Sequence, residues 1–347
     1  MGRLSSMING LARSLSAKKS KVEDEEREFR EAAALMARDA KKNHMLMKTS
    51  GFMHVKNSRN SVAVHTKRGQ KGQNQDSFIV WEKFAGEDDF LFCGIFDGHG
   101  DWGHFIAKKV RDALPSSLLC QVRGLSNADA PGSTPFSFDV WRHSFLKSCA
   151  AVDSQLTRLR NVDSFRSGTT ALSLLRQGDY IVIANVGDSR AVLGTGSGGT
   201  IAAVQLTVDF KPDLPQEEAR IIQSNGRVFC LKDETGVHRV WRPDGETPGL
   251  AMSRAFGDYC VKEYGVTSVP DVTHRRISGE EKFVILATDG VWDVLSNEEA
   301  VRVVSETAEK ADAARRLVEC AGAAWKKKRK GIAMDDISAI CLFFDSA

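Results

Sequence analysis

Four apolar runs, each with an acidic residue at one end, constrain this chain more than any other feature. Residues 92–96 indicate a buried strand, and they lead directly into Asp97-Gly98-His99-Gly100, whose two glycines allow a tight turn. The turn presents a carboxylate, a backbone carbonyl and an imidazole together, and hard metal ions bind oxygen ligands of this kind. The other runs are residues 180–186 before Gly187-Asp188, residues 283–287 before Thr288-Asp289, and residues 337–344 after Asp335-Asp336.

If these strands lie side by side in a sheet, their carboxylates converge at one edge. Gln73-Asn74-Gln75-Asp76 adds a further acid just before the apolar residues 77–81. Several Asp residues with no Cys and few His nearby favour Mg²⁺ or Mn²⁺ over Zn²⁺ or copper. Clustered carboxylates also repel one another unless a cation neutralises them. A single Asp-Gly pair is an ordinary turn, but these acids together predict a two-metal site.

Six sequence motifs occur in the order found in one enzyme family. On these motifs the chain resembles the metal-dependent serine/threonine protein phosphatases of type 2C over residues 58–345. Residues 71–76, residues 103–112 and the Met1-Gly2 start are similar to a plant subgroup of that family. The motifs are Asp-Gly-His-Gly at 97–100, Ser-Gly-Thr-Thr-Ala at 167–171, Gly-Asp-Ser-Arg at 187–190, Ser-Arg-Ala-Phe-Gly-Asp at 253–258, Ala-Thr-Asp-Gly at 287–290 with Trp292-Asp293, and Asp-Asp-Ile-Ser at 335–338.

The resemblance implies an α/β (α+β) sandwich. Two central antiparallel sheets would pack face to face with helices on their outer faces, giving layers α-β-β-α, and the metals would lie in a cleft at one end. We expect an N-terminal extension over residues 1–56 and a catalytic domain over residues 57–347, with a flap at residues 209–264 beside the cleft. His238, Arg239 and Trp241 of this flap could contact a phosphoprotein, and Arg239 and Trp241 could equally serve local packing.

The resemblance also implies a ligand set for two Mn²⁺ or Mg²⁺ ions and a weaker third ion. Asp97 would bridge the first two ions, and the Gly98 carbonyl would bind one of them. The remaining implied ligands are Asp289 and Asp335 at the first ion, Asp76 beside the second, and Asp188, with Asp289 or Asp293, at the third.

These parts imply a phosphoric monoester hydrolase acting on phosphoserine and phosphothreonine in proteins. A hydroxide bridging the two cations would attack phosphorus in line, because such cations lower the pKa of bound water. The cations would offset charge on the phosphoryl oxygens. His99, two positions after Asp97, is the predicted general acid for the leaving alkoxide. No Cys lies in the loop pattern of a cysteine-dependent phosphatase, so no thiolate nucleophile is predicted.

Two positions depart from the family pattern. Lys71 stands where many members have an Arg that holds the substrate phosphate, and Lys supplies charge without the planar fork of Arg. Lys71 is therefore predicted to bind phosphate more loosely, and Lys67 or Arg68 could share that role. Gln75 stands where many members have Glu, which removes one negative charge near the second ion and implies a lower affinity for it.

Composition limits the kinds of binding partner and the cellular compartment that the sequence favours. The formal net charge is only +3, so the sequence does not indicate nucleic-acid binding. A nuclease would need a basic, aromatic-lined groove, and a phosphoprotein-binding scaffold would be favoured by loss of a ligand Asp; both remain alternative hypotheses.

Seven Cys without a paired pattern predict reduced thiols and a cytoplasmic or nuclear setting. No run is long enough to span a membrane and no secretory signal is evident. We expect a monomer.

Both ends of the chain carry charged segments with more than one interpretation. Residues 1–6 fit the N-myristoylation pattern at Gly2, which predicts peripheral contact with the plasma membrane if basic residues support the single lipid chain. Residues 18–44 suit either a solvated helix or a disordered tail. The basic run 326–330 suits a nuclear signal or, better, the exposed end of a helix. The supporting basic residues are Arg3, Arg13, Lys18, Lys19 and Lys21.

Overall fold

The structure, a computed structural model, describes residues 45–46, 50–55, 60–125, 136–159, 161–196, 201–232, 234, 236–245 and 249–344. Most of the predicted N-terminal extension lies outside these residues, and so do Gly2 and the basic residues proposed to support membrane attachment. Within the described ranges, no helix is both long enough and apolar enough to cross a lipid bilayer.

The described chain consists of runs of strands separated by helices. The strands are β1 (Met45–Leu46), β2 (Ser50–His54), β3 (Ser61–Lys67), β4 (Ser77–Glu82), β5 (Phe90–Phe96), β6 (Gly98–His99), β7 (Gly168–Thr169), β8 (Ala171–Gln177), β9 (Tyr180–Val186), β10 (Arg190–Thr195), β11 (Ala202–Gln205), β12 (Arg227–Phe229), β13 (Arg239–Trp241), β14 (Phe256–Gly257), β15 (Asp271–Arg276), β16 (Glu281–Ala287) and β17 (Ile337–Phe343). The helices are α1 (Gly103–Leu125), α2 (Phe138–Leu156), α3 (Pro215–Gln223), α4 (Tyr259–Lys262), α5 (Asp289–Trp292), α6 (Asn297–Ser305) and α7 (Ala313–Lys328).

Two antiparallel sheets form the centre of the described fold. The first sheet has the strand order β1-β4-β5-β8-β9-β15, and the second has the order β11-β10-β16-β17-β3-β2. Neighbouring strands in both sheets run in opposite directions. Two small sheets, β12-β13 and β14-β7-β6, lie outside this pair. The sheet topology matches the antiparallel arrangement predicted from the sequence.

The alternation of side chains along β5 explains the layers. Phe92 and Phe96 pack in a core with α1 and α2 on the outer face of the first sheet. Leu91 and Ile95 point the other way, into an inner core that also contains residues of the second sheet such as Leu286. A third core lies between the second sheet and α5, α6 and α7. Because both faces of the central strands are buried, these strands have nearly continuous apolar sequences, and the layers are α-β-β-α as predicted.

The strand register brings the acidic strand ends to one edge. Ser77 at the start of β4 pairs with Phe96 at the end of β5. Ala287 at the end of β16 pairs with Ala339 near the start of β17 and with Arg190 at the start of β10. Antiparallel neighbours run in opposite directions, so the acids that precede β4 and β17 come beside those that follow β5, β9 and β16.

The segment predicted as a flap has a small core of its own. Ile221 of α3 packs there with Val240 of β13 and with Val261 of α4. Trp241 is buried, and its Nε1 donates to the Phe229 carbonyl at 2.9 Å, so this ring serves packing within the segment.

The basic run near the C-terminus begins inside a helix. Lys326, Lys327 and Lys328 form the last turn of α7, where cations suit the helix dipole. Trp325 just before them is buried, and its Nε1 donates to the Gly290 carbonyl at 2.7 Å. The structure therefore agrees with the interpretation of this run as the exposed end of a helix.

Candidate metal and phosphate site

A polar cleft of about 670 Å³ opens at the edge where the acidic strand ends meet. One wall consists of Leu250, Met252 and Val261. The residues of the cleft that were predicted from the sequence as site residues are Lys71, Asp97, Gly98, His99, Asp289 and Asp335. The cleft also contains Arg166 and Arg239, two cationic side chains that a phosphorylated protein could contact.

Asp76 lies beneath this cleft, just before β4. Its Oδ2 accepts hydrogen bonds from the hydroxyls of Ser338 at 2.6 Å and Thr288 at 3.1 Å. Its Oδ1 is buried and has no hydrogen-bond partner in the described residues. Burial, reinforced by the neighbouring acids Asp336 and Asp335, raises the pKa of Asp76 to about 7 in the metal-free protein. An unsatisfied carboxylate oxygen in such a place is costly unless a cation neutralises it.

Asp97 follows β5, and the Ser-Gly-Thr-Thr motif fixes its backbone. The Asp97 N–H donates to the Thr170 hydroxyl at 3.0 Å, and the Asp97 carbonyl accepts from the Thr169 hydroxyl at 2.9 Å. The Thr170 hydroxyl also bonds Ser189 of the Gly-Asp-Ser-Arg motif at 2.9 Å. Burial, followed by the charges of Asp76 and the other cleft acids, raises the pKa of Asp97 well above its usual range.

Asp188 and Asp289 lie close enough to Asp97 for their charges to act on its carboxylate. Burial, followed by repulsion from Asp188, raises the pKa of Asp289 well above its usual range, and burial also raises the pKa of Asp293. Lys211, which was not predicted as a site residue, forms an ion pair with Asp188 Oδ2. The other oxygen of Asp188 is buried without a partner among the described residues. Lys211 thus supplies a protein cation where the weaker third ion was predicted.

The acidic pair before β17 divides into two roles. Both acids line the cleft, and Asp335 forms an ion pair with Lys71. Asp336 instead accepts the backbone N–H groups of Gly69 at 2.7 Å and Gln75 at 2.8 Å. Asp336 therefore holds the loop that carries Lys71, a role that the sequence does not distinguish from that of Asp335.

Gln75, the second departure from the family pattern, makes a contact that Glu could not make. Its side-chain Nε2 donates to the carbonyl of Gly100 at 2.7 Å, within the Asp-Gly-His-Gly turn. A carboxylate at this position has no N–H to donate to that carbonyl. The amide thus links the loop of Lys71 to the turn that presents Asp97 and His99.

His99 is paired with a buried acid, Asp258. Its Nε2 lies 2.6 Å from Asp258 Oδ2, and the Asp258 side chain is 5% exposed. Burial alone would lower the pKa of His99, but the charge and hydrogen bond of Asp258 outweigh burial and raise that pKa. Asp258 ends the Ser-Arg-Ala-Phe-Gly-Asp motif, and nothing in that motif indicates which residue its carboxylate contacts.

The cleft fits hard divalent cations that keep much of their water. Among the described residues, no three His, Cys, Asp or Glu side chains are grouped so that they could hold a metal ion. Mg²⁺ commonly takes one or two carboxylates and completes its shell with water. Two observations indicate that cationic charge is needed here. One carboxylate oxygen each of Asp76 and Asp188 is buried without a partner in the described residues, and the pKa values of Asp97 and Asp289 are raised.

Comparison with known proteins gives a consistent set of relatives. The family described as protein phosphatase 2C matches residues 60–329. A probable protein phosphatase 2C 34 of Arabidopsis thaliana is 58% identical, covering 100% of this chain and 98% of the relative. A probable protein phosphatase 2C 48 of Oryza sativa subsp. japonica is 54% identical, covering 100% and 99%. The crystal structure of a serine-threonine phosphatase 2C from Toxoplasma gondii superposes with a TM-score of 0.75 at 25% identity, covering 87% of this chain and 99% of that one.

Proposed function

Because the chain belongs to the protein phosphatase 2C family and is therefore a protein phosphatase, we propose that it hydrolyses phosphoserine and phosphothreonine in proteins with two bound Mn²⁺ or Mg²⁺ ions. The observation that carries the proposal is the gathering of the acids Asp76, Asp97, Asp188 and Asp289 at one sheet edge. Burial, followed by the charges of neighbouring acids, raises the pKa values of Asp76, Asp97 and Asp289 there. Such a group suits metal ions and the phosphoryl charge that they bind.

The residues predicted as metal ligands keep their roles in this proposal. When bound, the two cations supply a hydroxide near neutral pH and offset charge on the phosphoryl oxygens. Asp97 would bridge the ions, the Gly98 carbonyl would bind one of them, and Asp289 and Asp335 would complete the first. The outer residues of the proposed site are Asp76 beside the second ion, and Asp188 with Asp289 or Asp293 at a weaker third ion.

Two further residues act on the substrate in this proposal. Lys71 would attract the phosphate with its amine, which now faces Asp335. His99 would give a proton to the departing seryl or threonyl oxygen. The substrates are phosphoproteins, and the apolar wall formed by Leu250, Met252 and Val261 would face the peptide around the phosphorylated residue.

The direct test is phosphate release from a phosphothreonine peptide. We expect release with Mn²⁺ or Mg²⁺ and none after chelation, because uncompensated cleft acids would repel the phosphate. Phosphate is measured by a colorimetric assay, and re-addition of the metal after chelation controls for irreversible damage. Absence of release with both metals would contradict the proposed function.

Replacement of Lys71 tests the phosphate contact. We expect Lys71→Ala to raise KM for the phosphopeptide by about tenfold, with a smaller change in kcat, because one hydrogen bond to a charged group contributes roughly 1.5–3 kcal/mol and Lys71 is half-exposed. Lys71→Arg should keep KM low, since the guanidinium fork suits phosphate. Lys67→Ala is the matched control: the sequence suggested Lys67 as a possible second phosphate contact, but it lies beside Gly322 of α7 and is not among the described residues that line the cleft. A rise in KM for the control equal to that for Lys71→Ala would count against the assigned contact.

A further inference from the structure

Three chain segments that are far apart in sequence meet in the small sheet β14-β7-β6. His99 of β6 pairs with Gly168 of β7, and Gly168 pairs in turn with Gly257 of β14. Asp258 follows Gly257 directly, and its N–H donates to the Ser167 carbonyl at 3.1 Å. This sheet therefore brings the last residue of the Ser-Arg-Ala-Phe-Gly-Asp motif beside the imidazole of the Asp-Gly-His-Gly turn.

The sheet has no room for a side chain at its centre. A Cβ on Gly168 would lie 2.0 Å from Asp258 Oδ2 and 2.4 Å from the Phe256 carbonyl oxygen. Both separations are far below contact distance, so only glycine allows the Asp258 carboxylate to pass β7 and reach His99. The missing Cβ at Gly168 is thus a geometric requirement of the His99–Asp258 contact.

The backbone of Asp258 also departs from what its position would favour. Asp258 precedes helix α4, where an Asp normally has extended backbone and its carboxylate accepts an N–H of the first turn. Here its φ is 52°, in the left-handed region, and its side chain accepts no capping bond from the described amides of α4. Left-handed backbone at a residue other than glycine costs free energy and is concentrated at functional sites. The carboxylate of this strained residue contacts His99 and does not cap the helix.

We propose that Asp258 is the positioning residue for His99: its carboxylate holds the ring at Nε2 and leaves Nδ1 as the nitrogen for the substrate. Nδ1 of His99 is buried and has no hydrogen-bond partner in the described part of the chain, and His99 is one of the residues that line the cleft. This inference rests on the proposed phosphatase function. It adds a residue that orients the proton donor through a fixed hydrogen bond, as buried carboxylates do for other catalytic imidazoles.

The proton transfer that Asp258 supports completes the cleavage of the phosphate ester. Hydroxide forms a new bond to phosphorus while the bond from phosphorus to the seryl or threonyl oxygen breaks. The electron pair of the broken bond stays on that oxygen, which takes the proton from His99 Nδ1 and leaves as a neutral alcohol. His99 is left neutral, with its remaining proton on Nε2 in the hydrogen bond to Asp258. Bulk water restores the proton on Nδ1.

Substrates with different leaving groups provide the test. A phosphothreonine peptide releases a strongly basic alkoxide and needs the proton, whereas p-nitrophenyl phosphate releases a weakly basic phenolate. We expect Asp258→Asn and His99→Asn each to lower kcat on the peptide by about 10²-fold, within the usual range for general acid catalysis. The loss on p-nitrophenyl phosphate should be clearly smaller. The double variant should be no slower on the peptide than His99→Asn alone, because the two residues act as one unit.

Asp153→Asn is the matched control for disturbance of the same loop. Asp153 accepts hydrogen bonds from the Gly257 N–H at 2.9 Å and from the amine of Lys262 at 2.8 Å. Any loss in this variant should be equal on the two substrates. If Asp153→Asn shows the same substrate-dependent loss as Asp258→Asn, the loss reflects a disturbed loop and the inference is wrong. Equal losses on both substrates for Asp258→Asn, or additive losses in the double variant, would also overturn it.

The ring orientation can be measured without any activity assay. Nitrogen-15 NMR of the full protein should show His99 Nε2 carrying a proton and hydrogen-bonded in the wild type, with that signal altered in Asp258→Asn and retained in Asp153→Asn. Absence of a proton on Nε2 would overturn the inference. A wild type that releases phosphate from neither substrate, yet shows the Nε2 signal, would instead contradict the proposed phosphatase function and leave the His99–Asp258 contact intact.

Discussion

Asp97→Asn is expected to abolish phosphate release and, in the absence of metal, to make the protein more stable. The activity should fall by about 10³-fold or more, because loss of the bridging carboxylate removes several kcal/mol of metal-derived stabilisation. Stability should rise because burial, followed by repulsion from the surrounding acids, makes the charged form of Asp97 costly in the folded protein. The amide of Asn keeps nearly the same shape but carries no charge.

Two measurements with one control separate these effects. Phosphate release gives the loss of activity, and thermal melting in chelator near neutral pH gives the gain in stability. Mn²⁺ should raise the melting temperature of the wild type but not that of Asp97→Asn. Asp179→Asn is the matched control, since Asp179 is an exposed acid between β8 and β9 and should leave activity unchanged. An Asp97→Asn variant that melts lower than the wild type in chelator would contradict the account of repelling acids.

The fold was largely predictable because the apolar runs that indicate its strands are local in the sequence and support one another. The apolar run 180–186 predicts β9 with the bounds that the structure has. The runs before Asp289 and after Asp335 predict β16 and β17 to within two residues at each end. Their long apolar sequences reflect strands buried on both faces between layers. Sequence periodicity cannot give the pairing order β16-β17-β3, because the strands that pair lie far apart in the chain.

The site was predictable at the strand ends, where an acidic residue in this pattern has one chemical use, as a metal ligand. Asp97 and Asp289 follow buried strands, and the structure places both in the cleft. Lys211 could not be assigned in this way, because a single Lys in a polar segment gives no signal until the fold brings it to Asp188. Asp258 was part of a recognised motif, but its partner His99 lies 159 residues away. Only the β14-β7-β6 sheet shows that the two meet.

Without metal, the protein is expected to lose stability as pH rises from mildly acidic to mildly alkaline values. The pKa of Asp76 is raised to about 7, and those of Asp97, Asp289 and Asp336 are raised as well, chiefly by burial. For an acid with a raised pKa, the folded state holds a proton that the unfolded chain has already released. Folding therefore carries a penalty that begins above the unfolded pKa and is complete above the folded one.

This sign identifies the pH window. For Asp76 the penalty grows between about pH 4 and pH 7, and it is on the order of a few kcal/mol when complete, since each unit of pKa shift corresponds to about 1.4 kcal/mol. The pKa shifts of Glu217 and Glu281 have the opposite sign, because both values are lowered in the folded protein. Despite burial, arginine and hydroxyl partners hold the pKa of Glu217 at about 2. Backbone N–H groups, the Ser278 hydroxyl and Arg275 do the same for Glu281. The stability that these two acids contribute is therefore lost only as pH falls below about 4.5.

Melting temperatures in chelator at about pH 5 and about pH 8 measure the effect. The wild type should melt at a lower temperature at the higher pH, and Mn²⁺ or Mg²⁺ should reverse most of that loss, because the cations bind the charged carboxylates that proton loss exposes. Asp76→Asn should show a weaker dependence on pH in chelator, since it removes one of the groups that release a proton in this window. If the metal-free protein were instead equally stable at both values, the carboxylates at this edge would not be coupled to folding. The case for cations at the sheet edge would then lose its physical basis, because the same unmet negative charge predicts both the pH dependence and the metal binding.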